Sequence, residues 1–292
     1  MSRRILVIGG AGLLGSALAG QDWPDGWMIT ATTRRTLDLT DGDAIAATIA
    51  GTRWAAVINA AAYTAVDRAE REIEAAWAVN ALGPAVLAAA CARADIPLLH
   101  ISSDYVFDGA RDGAWQEDDP IAPRNVYGAS KAAGELAVRT ACPRHVILRT
   151  SWLIGAHGNN FLTTMLRLGA VRDTIRVVDD QHGGPTGVGD LAAVAARIAM
   201  ALADDPAAPT GTYHFSNAGV TTWFGLAQAI FARTARSDRR PPALVPITTA
   251  DYPAAARRPV NSRLDHGRIA DAYGIVPRPW QEALDHILRV PA

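Results

Sequence analysis

The fold of this chain is decided by one short stretch, Ile5-Leu6-Val7-Ile8-Gly9-Gly10-Ala11-Gly12-Leu13-Leu14-Gly15. Its first four residues are apolar, which predicts a buried strand, and residues 13–19 predict the helix that follows. Glycines between a strand and a helix permit a tight turn and let another group approach the backbone closely. The stretch therefore predicts the start of a βαβ unit.

Glycine spacing in this stretch satisfies both GxGxxG and GxxGxxG. In that position a helix N-terminus faces the negative charge of a pyrophosphate, while the glycines admit it to the backbone. We therefore predict a dinucleotide site rather than a simple turn. The predicted contacts are Gly9, Gly12, Leu13, Leu14 and Gly15.

Apolar runs and helical patterns alternate through the first half of the chain. Strands are predicted at 5–8, 27–32, 55–59, 97–102 and 145–150, and helices at 13–19, 44–50, 67–94 and 125–140, the third interrupted near Gly83-Pro84. This order is typical of a Rossmann-like, doubly wound parallel sheet, and so we predict an α/β fold.

The pattern is less regular after residue 150. Helices are predicted at 160–168, 190–203, 223–236 and 281–289, and strands at 175–178 and 213–216. We predict a dinucleotide-binding domain over 1–150, to which some later segments return. Residues 151–292 are predicted to form a smaller C-terminal α/β domain that mainly binds substrate.

Composition and charge narrow the classes of protein. The 292 residues include 28 basic and 29 acidic side chains, and this near-balance argues against nucleic-acid binding. The apolar run at 5–8 is too short for a signal peptide or a membrane span, and so we expect a cytoplasmic protein with no membrane partner. Cys91 and Cys142 lack metal-type spacing and are expected to be buried thiols.

Cofactor choice is expected to show at the end of the second strand, where an acid favours NAD and a basic group favours NADP. The sequence has Thr32-Thr33-Arg34-Arg35 there. We predict NADPH, with NADH as the alternative, and contacts from Thr32 and from Arg34 or Arg35, unless both arginines are solvated loop residues. Further predicted cofactor contacts are Asp38 and Leu39, near the adenine, and the small residues Ala60, Ala61 and Ala62.

Tyr127 and Lys131 are four residues apart and share one face of the predicted helix, and Ser103 follows a predicted strand. An adjacent ammonium lowers the pKa of a tyrosine, which can then act as a general acid or base. A serine hydroxyl can hold the substrate oxygen. These groups suit the interconversion of a ketone and an alcohol by hydride transfer.

The Tyr-x-x-x-Lys pair is by itself common on helix surfaces. In this chain Lys131 is the single lysine, and only six residues are tyrosines, which makes a chance pairing improbable. Arginine would replace the compact ammonium poorly, because its planar group cannot meet ribose hydroxyls and the tyrosine together. We therefore expect Lys131 to be a catalytic residue.

The order of these motifs resembles the extended short-chain dehydrogenase/reductase superfamily. Residues 80–84 (NALGP) are similar to its helix motif, whose asparagine is associated with active-site architecture. A closer resemblance, over nearly the whole chain, is to the dTDP-4-dehydrorhamnose reductase family. It is carried by 59–67 (NAAAYTAVD), 102–107 (SSDYVF), 125–128 (NVYG), 149–152 (RTSW), 158–161 (GNNF) and 256–264 (ARRPVNSRL).

This resemblance implies NADPH-dependent reduction of dTDP-4-dehydro-β-L-rhamnose to dTDP-β-L-rhamnose, with hydride delivered to the sugar C4. It implies that Tyr127 protonates the nascent alkoxide, that Lys131 orients the ribose and polarises Tyr127, and that Ser103 holds the carbonyl. Asp104 and Trp152 stand at positions expected to contact the sugar. The family often has threonine where Ser103 stands, but the hydroxyl is kept.

Two further points follow from the resemblance. Arg257, Arg258 and Arg263 are candidates for binding the diphosphate or for a structural role. Some family members dimerise around a magnesium ion held by two glutamates, and the corresponding positions here are Ala17 and Gly189. We therefore expect no metal site, and a monomer or a weak homodimer.

Other functions stay open at this point. Related dehydratases need an acid directly after the aspartate of the strand-end motif, and Tyr105 in that position argues against dehydration. An epimerase or reductase of related specificity is harder to exclude, because the Ser-Tyr-Lys set serves reversible oxidation. A non-catalytic, NADP-binding regulatory subunit resembling the β subunit of methionine adenosyltransferase is a third reading, and residues 256–264 favour the reductase over it.

Overall fold

The computed structural model describes residues 3–234 and 241–289 of the chain. Its strands are β1 (Arg3–Ile8), β2 (Trp27–Thr32), β3 (Ala56–Asn59), β4 (Leu98–Ser103), β5 (His145–Thr150), β6 (Leu153–Ile154), β7 (Thr174–Val178), β8 (His182–Gly183), β9 (Thr186–Gly187), β10 (Gly211–His214), β11 (Thr221–Thr222), β12 (Ala243–Ile247) and β13 (Asn261–Ser262). Its α-helices are α1 (Leu13–Gly20), α2 (Gly42–Ala50), α3 (Val66–Ala69), α4 (Ile73–Trp77), α5 (Gly83–Arg93), α6 (Val126–Ala141), α7 (Phe161–Gly169), α8 (Val188–Asp204), α9 (Trp223–Thr234), α10 (Gly267–Tyr273) and α11 (Trp280–Arg289).

A six-stranded parallel sheet in the order β10-β5-β4-β3-β1-β2 forms the centre of the structure. The chain runs from β1 to β2 on one side and then returns past β1 to build β3, β4 and β5 on the other. Ligands of such sheets bind in the crevice where the strand order reverses, here between β1 and β3. The predicted α/β, doubly wound fold is confirmed.

The side chains of β1 point alternately to the two faces of the sheet, and this shows why both faces are covered. Ile5 and Val7 pack into a core with α1 and α8, whereas Leu6 and Ile8 pack into a second core with α2 and α5. Side chains of a strand point alternately to its two faces, and so a strand that is apolar throughout requires helices on both sides. This packing places the end of β1 in the middle of the sheet edge.

The helical region 67–94 differs from the prediction of an interruption near Gly83-Pro84. The break falls earlier, between α3 and α4, and a π-helical segment, Ala78–Leu82, then joins α4 to α5 without a gap. Pro84 lies in the first turn of α5, directly after this π-helical segment. The irregularity is therefore one wider helical turn within a continuous helix, and the helix is not interrupted there.

This continuous helical stretch, Ile73–Arg93, is also long and apolar enough, by length and composition, to span a membrane. Half of the window that passes this test is buried inside the fold, and α5 packs against α2 and α6. Core helices of soluble proteins commonly pass the same test. The packing therefore accounts for its hydropathy.

Later segments return to the main sheet: α8 packs against α1, and β10 pairs with β5. A separate apolar core in the second half joins α7, α9 and α11. The division of the chain after residue 150 stays a prediction. The two-residue strands β6, β8, β9, β11 and β13 were not predicted, because so few residues show no period; positions 235–236 of the predicted helix 223–236 lie outside the described residues.

Candidate active site

The glycine turn after β1 is shaped for close approach by a ligand. Gly9 has φ +90° and the N–H groups of Gly9 and Gly10 bond the Thr32 carbonyl oxygen at 3.1 and 2.6 Å. A side chain at Gly9 would meet the backbone of Ala61 at 2.7 Å, and one at Gly15 would meet the Gly9 carbonyl oxygen at 2.1 Å. Only glycine fits at either position.

Helix α1 begins at this turn without a side-chain cap and has no acidic residue in its first turn. Its uncapped N–H groups and positive dipole end suit an anion such as a pyrophosphate. Leu14 and Gly15 are buried behind the turn, whereas Gly12 is exposed and Leu13 is half-buried. The donor set of the turn therefore fits the predicted dinucleotide, although its contacts stay predictions.

The residues predicted to select the cofactor follow β2. Thr32 is buried, and Arg34 is exposed and pairs with Asp38 at 3.1 Å. Hydrogen bonds from Thr40 and Arg34 lower the pKa of Asp38, which is thus held as a carboxylate. Leu39 turns into the apolar core, and so only its backbone remains for the adenine.

Ala60, Ala61 and Ala62 follow β3 and are all half-buried beside the glycine turn. Asn80, within the π-helical segment, holds the next residue in place: its amide bonds the N–H and the carbonyl of Tyr63 at 2.8 and 3.0 Å. The same amide donates to Ser130 of α6 at 3.0 Å. Asn80 therefore ties the predicted cofactor loop to the helix that carries Tyr127 and Lys131.

Ser103 ends β4 and is buried, and its hydroxyl donates to Asp104 Oδ1 at 3.0 Å. The other carboxylate oxygen of Asp104 is buried and has no partner within the described structure. Burial raises the pKa of Asp104 to about 6, against hydrogen bonds that lower it. A buried oxygen without a partner is costly, which marks this carboxylate as a group that a ligand can satisfy.

Tyr127 lies in the first turn of α6, whose N-cap Asn125 accepts a bond from the Gly128 N–H. Burial raises the pKa of Tyr127 well above its ordinary value, with the Ser103 hydroxyl opposing the shift. The expected lowering by Lys131 is thus wrong for this chain without ligands. Removal of the phenol from water is the largest cause, and the ammonium of Lys131 contacts β4 instead.

Lys131 lies one turn further along α6 and exposes 1% of its surface. Its Nζ donates to the carbonyl oxygen of Ile101 at 2.7 Å and lies 3.4 Å from Nε2 of His100. Burial lowers the pKa of Lys131 to about 8, and Glu135 partly opposes the shift. The three predicted catalytic residues are therefore gathered around the carboxyl end of β4.

Trp152 lies just beyond β5, two residues after Thr150, the register partner of Ser103. Its backbone has φ +46°, which is rare for a bulky side chain. A side chain at Gly183 would meet the indole of Trp152 at 2.6 Å, and so glycine leaves room for the ring. The indole stacks on Trp223 with ring centroids 3.6 Å apart.

The three arginines of residues 256–264 have different surroundings. Arg258 pairs with Asp67 at 2.6 Å and donates to the hydroxyl of Tyr105 at 3.2 Å, while Arg263 bonds Asn261. Arg257 is exposed and lines a cavity of about 340 Å³ together with Arg124 and Arg258. Among the described residues, neither Arg257 nor Arg124 forms an ion pair. These two guanidinium groups remain available to an anion.

In the magnesium-bridged dimers two glutamates hold the metal, and the two corresponding positions of this chain have no side-chain oxygen or nitrogen that could bind it. Ala17 packs against an apolar core, and Gly189 is exposed. The neighbouring Asp190 pairs with Arg278 at 2.7 Å and accepts a bond from Asn217. The expectation that this chain lacks such a metal site stays a prediction.

Comparison with known proteins agrees with this geometry. The model of the family described as RmlD substrate binding domain matches residues 3–291. A dTDP-4-dehydrorhamnose reductase from Aggregatibacter actinomycetemcomitans is 44% identical over 97% of this chain and 98% of its own length. The chain belongs to this reductase family.

Further members of the reductase family show the same full-length match. The dTDP-4-dehydrorhamnose reductase of Streptomyces griseus is 46% identical over 96% of this chain and 91% of its own length. A solved structure of the Bacillus anthracis family member, in complex with NADP, is 36% identical, with a TM-score of 0.92 over 99% of each chain. Its cofactor is of the type predicted for this chain from the arginines after β2.

Sequence reasoning missed several residues of this reductase-family site. His100 stands in the apolar run of β4, where one histidine is indistinguishable from a core residue. Trp223 is about 70 residues from Trp152 along the chain, and no local pattern connects them.

Proposed function

We propose that this chain reduces dTDP-4-dehydro-β-L-rhamnose to dTDP-β-L-rhamnose with NADPH. The observation that carries the proposal is the convergence of Ser103, Tyr127 and Lys131 at the carboxyl end of β4, in a chain of the reductase family. That edge lies beside the glycine turn at the reversal of strand order, where α/β sheets bind ligands. NADPH supplies the hydride that is added to C4 of the sugar.

The chain's own groups are suited to hold such a cofactor. The N–H groups at the uncapped start of α1, residues 13–15, bind the pyrophosphate, and Arg34 or Arg35 meets the 2′-phosphate. Ala60, Ala61 and Ala62 leave space along the cofactor because their side chains are small. Lys131 binds the ribose hydroxyls through its ammonium group.

Tyr127 supplies the proton in this mechanism. As the C4 carbonyl becomes an alkoxide, the phenol donates its proton to that oxygen, and a phenolate remains. Burial raises the pKa of Tyr127, which keeps the phenol protonated at neutral pH, as an acid must be. Ser103 holds the same oxygen once its O–H turns to it from Asp104, and the charge of Lys131 stabilises the phenolate until it regains a proton.

Tyr105 supports reduction rather than loss of water. Its side chain stands where a dehydratase needs a carboxylate, and its hydroxyl accepts a bond from Arg258. The ring also meets Tyr127 edge-on, with centroids 5.4 Å apart. Tyr105 is therefore a wall of the site and not a base.

Arg257 and Arg124 are proposed to bind the diphosphate of the nucleotide sugar. Both line the same cavity and lack a partner among the described residues, whereas Arg258 is already paired. A guanidinium presents two parallel donors that match phosphate oxygens. Asp104 and Trp152 are then left to contact the sugar ring.

The experiment supplies enzymatically prepared dTDP-4-dehydro-β-L-rhamnose to the purified protein and follows NADPH absorbance while chromatography identifies the sugar. We expect one equivalent of dTDP-β-L-rhamnose for each NADPH oxidised. NADPH binding without oxidation would favour the regulatory subunit, and a new sugar without oxidation would favour an epimerase. Either result would overturn the proposal.

A further inference from the structure

His100 is a fully buried titratable side chain that the proposed mechanism does not use. It lies on β4 in register with Asn59 of the parallel strand β3. The Asn59 Nδ2 and His100 Nδ1 atoms are 3.1 Å apart, and His100 Nε2 lies 3.4 Å from Lys131 Nζ. A row of three polar side chains thus crosses the middle of the sheet edge.

The orientation of the Asn59 amide follows from its second contact. The backbone N–H of Ala61 can only donate, and it bonds Asn59 Oδ1 at 3.2 Å. The NH2 group of Asn59 therefore faces His100, and His100 Nδ1 must accept a hydrogen bond from it. Rotating the amide would leave the Ala61 N–H against another donor.

This acceptor role determines where the proton of His100 lies. Burial, followed by the charge of Lys131, lowers the pKa of His100 well below its ordinary value, and so the ring is neutral. A neutral imidazole carries one proton, and with Nδ1 accepting that proton is on Nε2. The Nε2–H group then points at Lys131 Nζ.

We infer that His100, held by Asn59, is a positioning residue that controls the proton state of Lys131. Two donors face each other when Lys131 is an ammonium, whereas a neutral amine accepts the Nε2–H bond and still donates to Ile101. Recovering a favourable contact with the ammonium requires the other tautomer of His100 and a rotated Asn59 amide. That change would break the hydrogen bond from the Ala61 N–H to Asn59, in the loop of residues 60–62 that is predicted to line the cofactor.

Other charged groups act on Lys131 and His100 from each element around them. Glu135 favours the ammonium from α6, but it is also bonded to Arg149 of β5. His145 acts on His100 from β5, and Asp104 acts on Tyr127 from the end of β4. Among these groups, His100 lies within hydrogen-bond distance of the Lys131 Nζ, through its Nε2 atom.

The inference rests on the proposed role of Lys131 in binding the ribose and stabilising the phenolate. That role needs the ammonium, which His100 makes easier to deprotonate. The ammonium of a lysine that titrates near neutral pH can release a proton during turnover, and the neutral amine that is left regains one from solvent. A permanently charged lysine would bind the ribose equally well but would release a proton less readily.

The single lysine of the chain permits a direct test. Protein labelled with 13Cε-lysine gives one lysine signal, which is titrated in the full-length protein without substrate. We expect a midpoint near pH 8 in the parent protein. His100→Asn should keep the bond to Asn59 but remove the facing N–H, and the midpoint should rise by about one pH unit.

The control is His145→Asn, which removes another buried histidine of the sheet whose Nδ1 bonds the Cys142 carbonyl and not Lys131. We expect its lysine midpoint to match that of the parent protein. A His100→Asn midpoint that is unchanged, lower, or moved equally in the control would overturn the inference. Because the titration needs no turnover, it can fail while the proposed reduction holds, and the converse is also true.

If His100→Asn does not fold, 15N-histidine spectra of the parent protein still decide the question. The inference requires the proton of His100 on Nε2 and an unprotonated Nδ1 throughout neutral pH. A protonated Nδ1 would show that Lys131 donates to Nε2, and it would overturn the inference.

Discussion

Trp152 and Trp223 stack almost face to face, with their rings inclined by 10°. The partner that fixes Trp152 comes from the start of α9, in the second half of the chain. Holding a tryptophan at φ +46° costs about 1–3 kcal/mol. Such a cost is tolerated where the surroundings impose it, and the stack supplies that constraint at the predicted sugar contact.

Replacing Trp223 by leucine should therefore loosen Trp152 without touching the glycine turn. Because an aromatic pair contributes about 0.5–1.5 kcal/mol, we expect the KM for the nucleotide sugar to rise roughly threefold to tenfold. The Kd for NADPH should not change. Phe161→Leu, which alters a ring 4.7 Å from that of Trp223, is the control, and an equal effect there would show general loosening of the region.

Tyr127→Phe removes the phenol and keeps the ring. We expect kcat to fall by about 10²-fold or more, since a positioned proton donor contributes that much. NADPH titrations should give the parent Kd. Retention of most activity would mean that another group donates the proton.

Lys131→Arg keeps a positive charge but replaces the compact ammonium with a planar group. We expect most of the activity to be lost, and a lower melting temperature, because the larger and permanently charged group enters a fully buried site. The parent protein should itself lose activity as pH rises through about 8, where Lys131 gives up its proton in the absence of ligands. A variant with parent-like kcat would remove Lys131 from the mechanism.

Asp104→Asn should make the protein more stable at pH 7. The folded pKa of about 6 exceeds the unfolded value near 3.8, so the folded state binds the proton more tightly and stability falls as pH rises from 4 to 6. Asparagine resembles the protonated form, and we expect a gain of about 3 kcal/mol at pH 7 that disappears below pH 4. Chemical denaturation at both pH values measures it. A variant less stable than the parent at pH 7 would contradict the assignment.

Replacing Arg34 and Arg35 together by alanine should weaken selection for NADPH. Loss of a charge-assisted contact to the 2′-phosphate should lower kcat/KM for NADPH about tenfold or more, with little change for NADH. Each single variant then identifies which arginine makes the contact. Equal losses of kcat/KM with both cofactors would show that neither arginine contacts the 2′-phosphate.

The sequence by itself determined the fold class and the positions of the main elements. Apolar runs of four to six residues predicted β1 to β5. The run is buried throughout in β3, which is covered on both faces, whereas β2 lies at the sheet edge and is partly exposed. The glycines after β1, together with Tyr127 and the single lysine, predicted the dinucleotide site and the catalytic residues. These signals are local, and each depends on a few neighbouring residues.

Only the tertiary structure decided how these groups interact. The sequence predicted that Lys131 lowers the pKa of Tyr127, but the fold turns Nζ toward Ile101 and His100, and burial raises that pKa instead. Asn59, His100 and Lys131 meet because β3, β4 and α6 are packed together, and Trp152 meets Trp223 in the same way. Burial and contacts between distant segments arise from packing, which no local pattern contains.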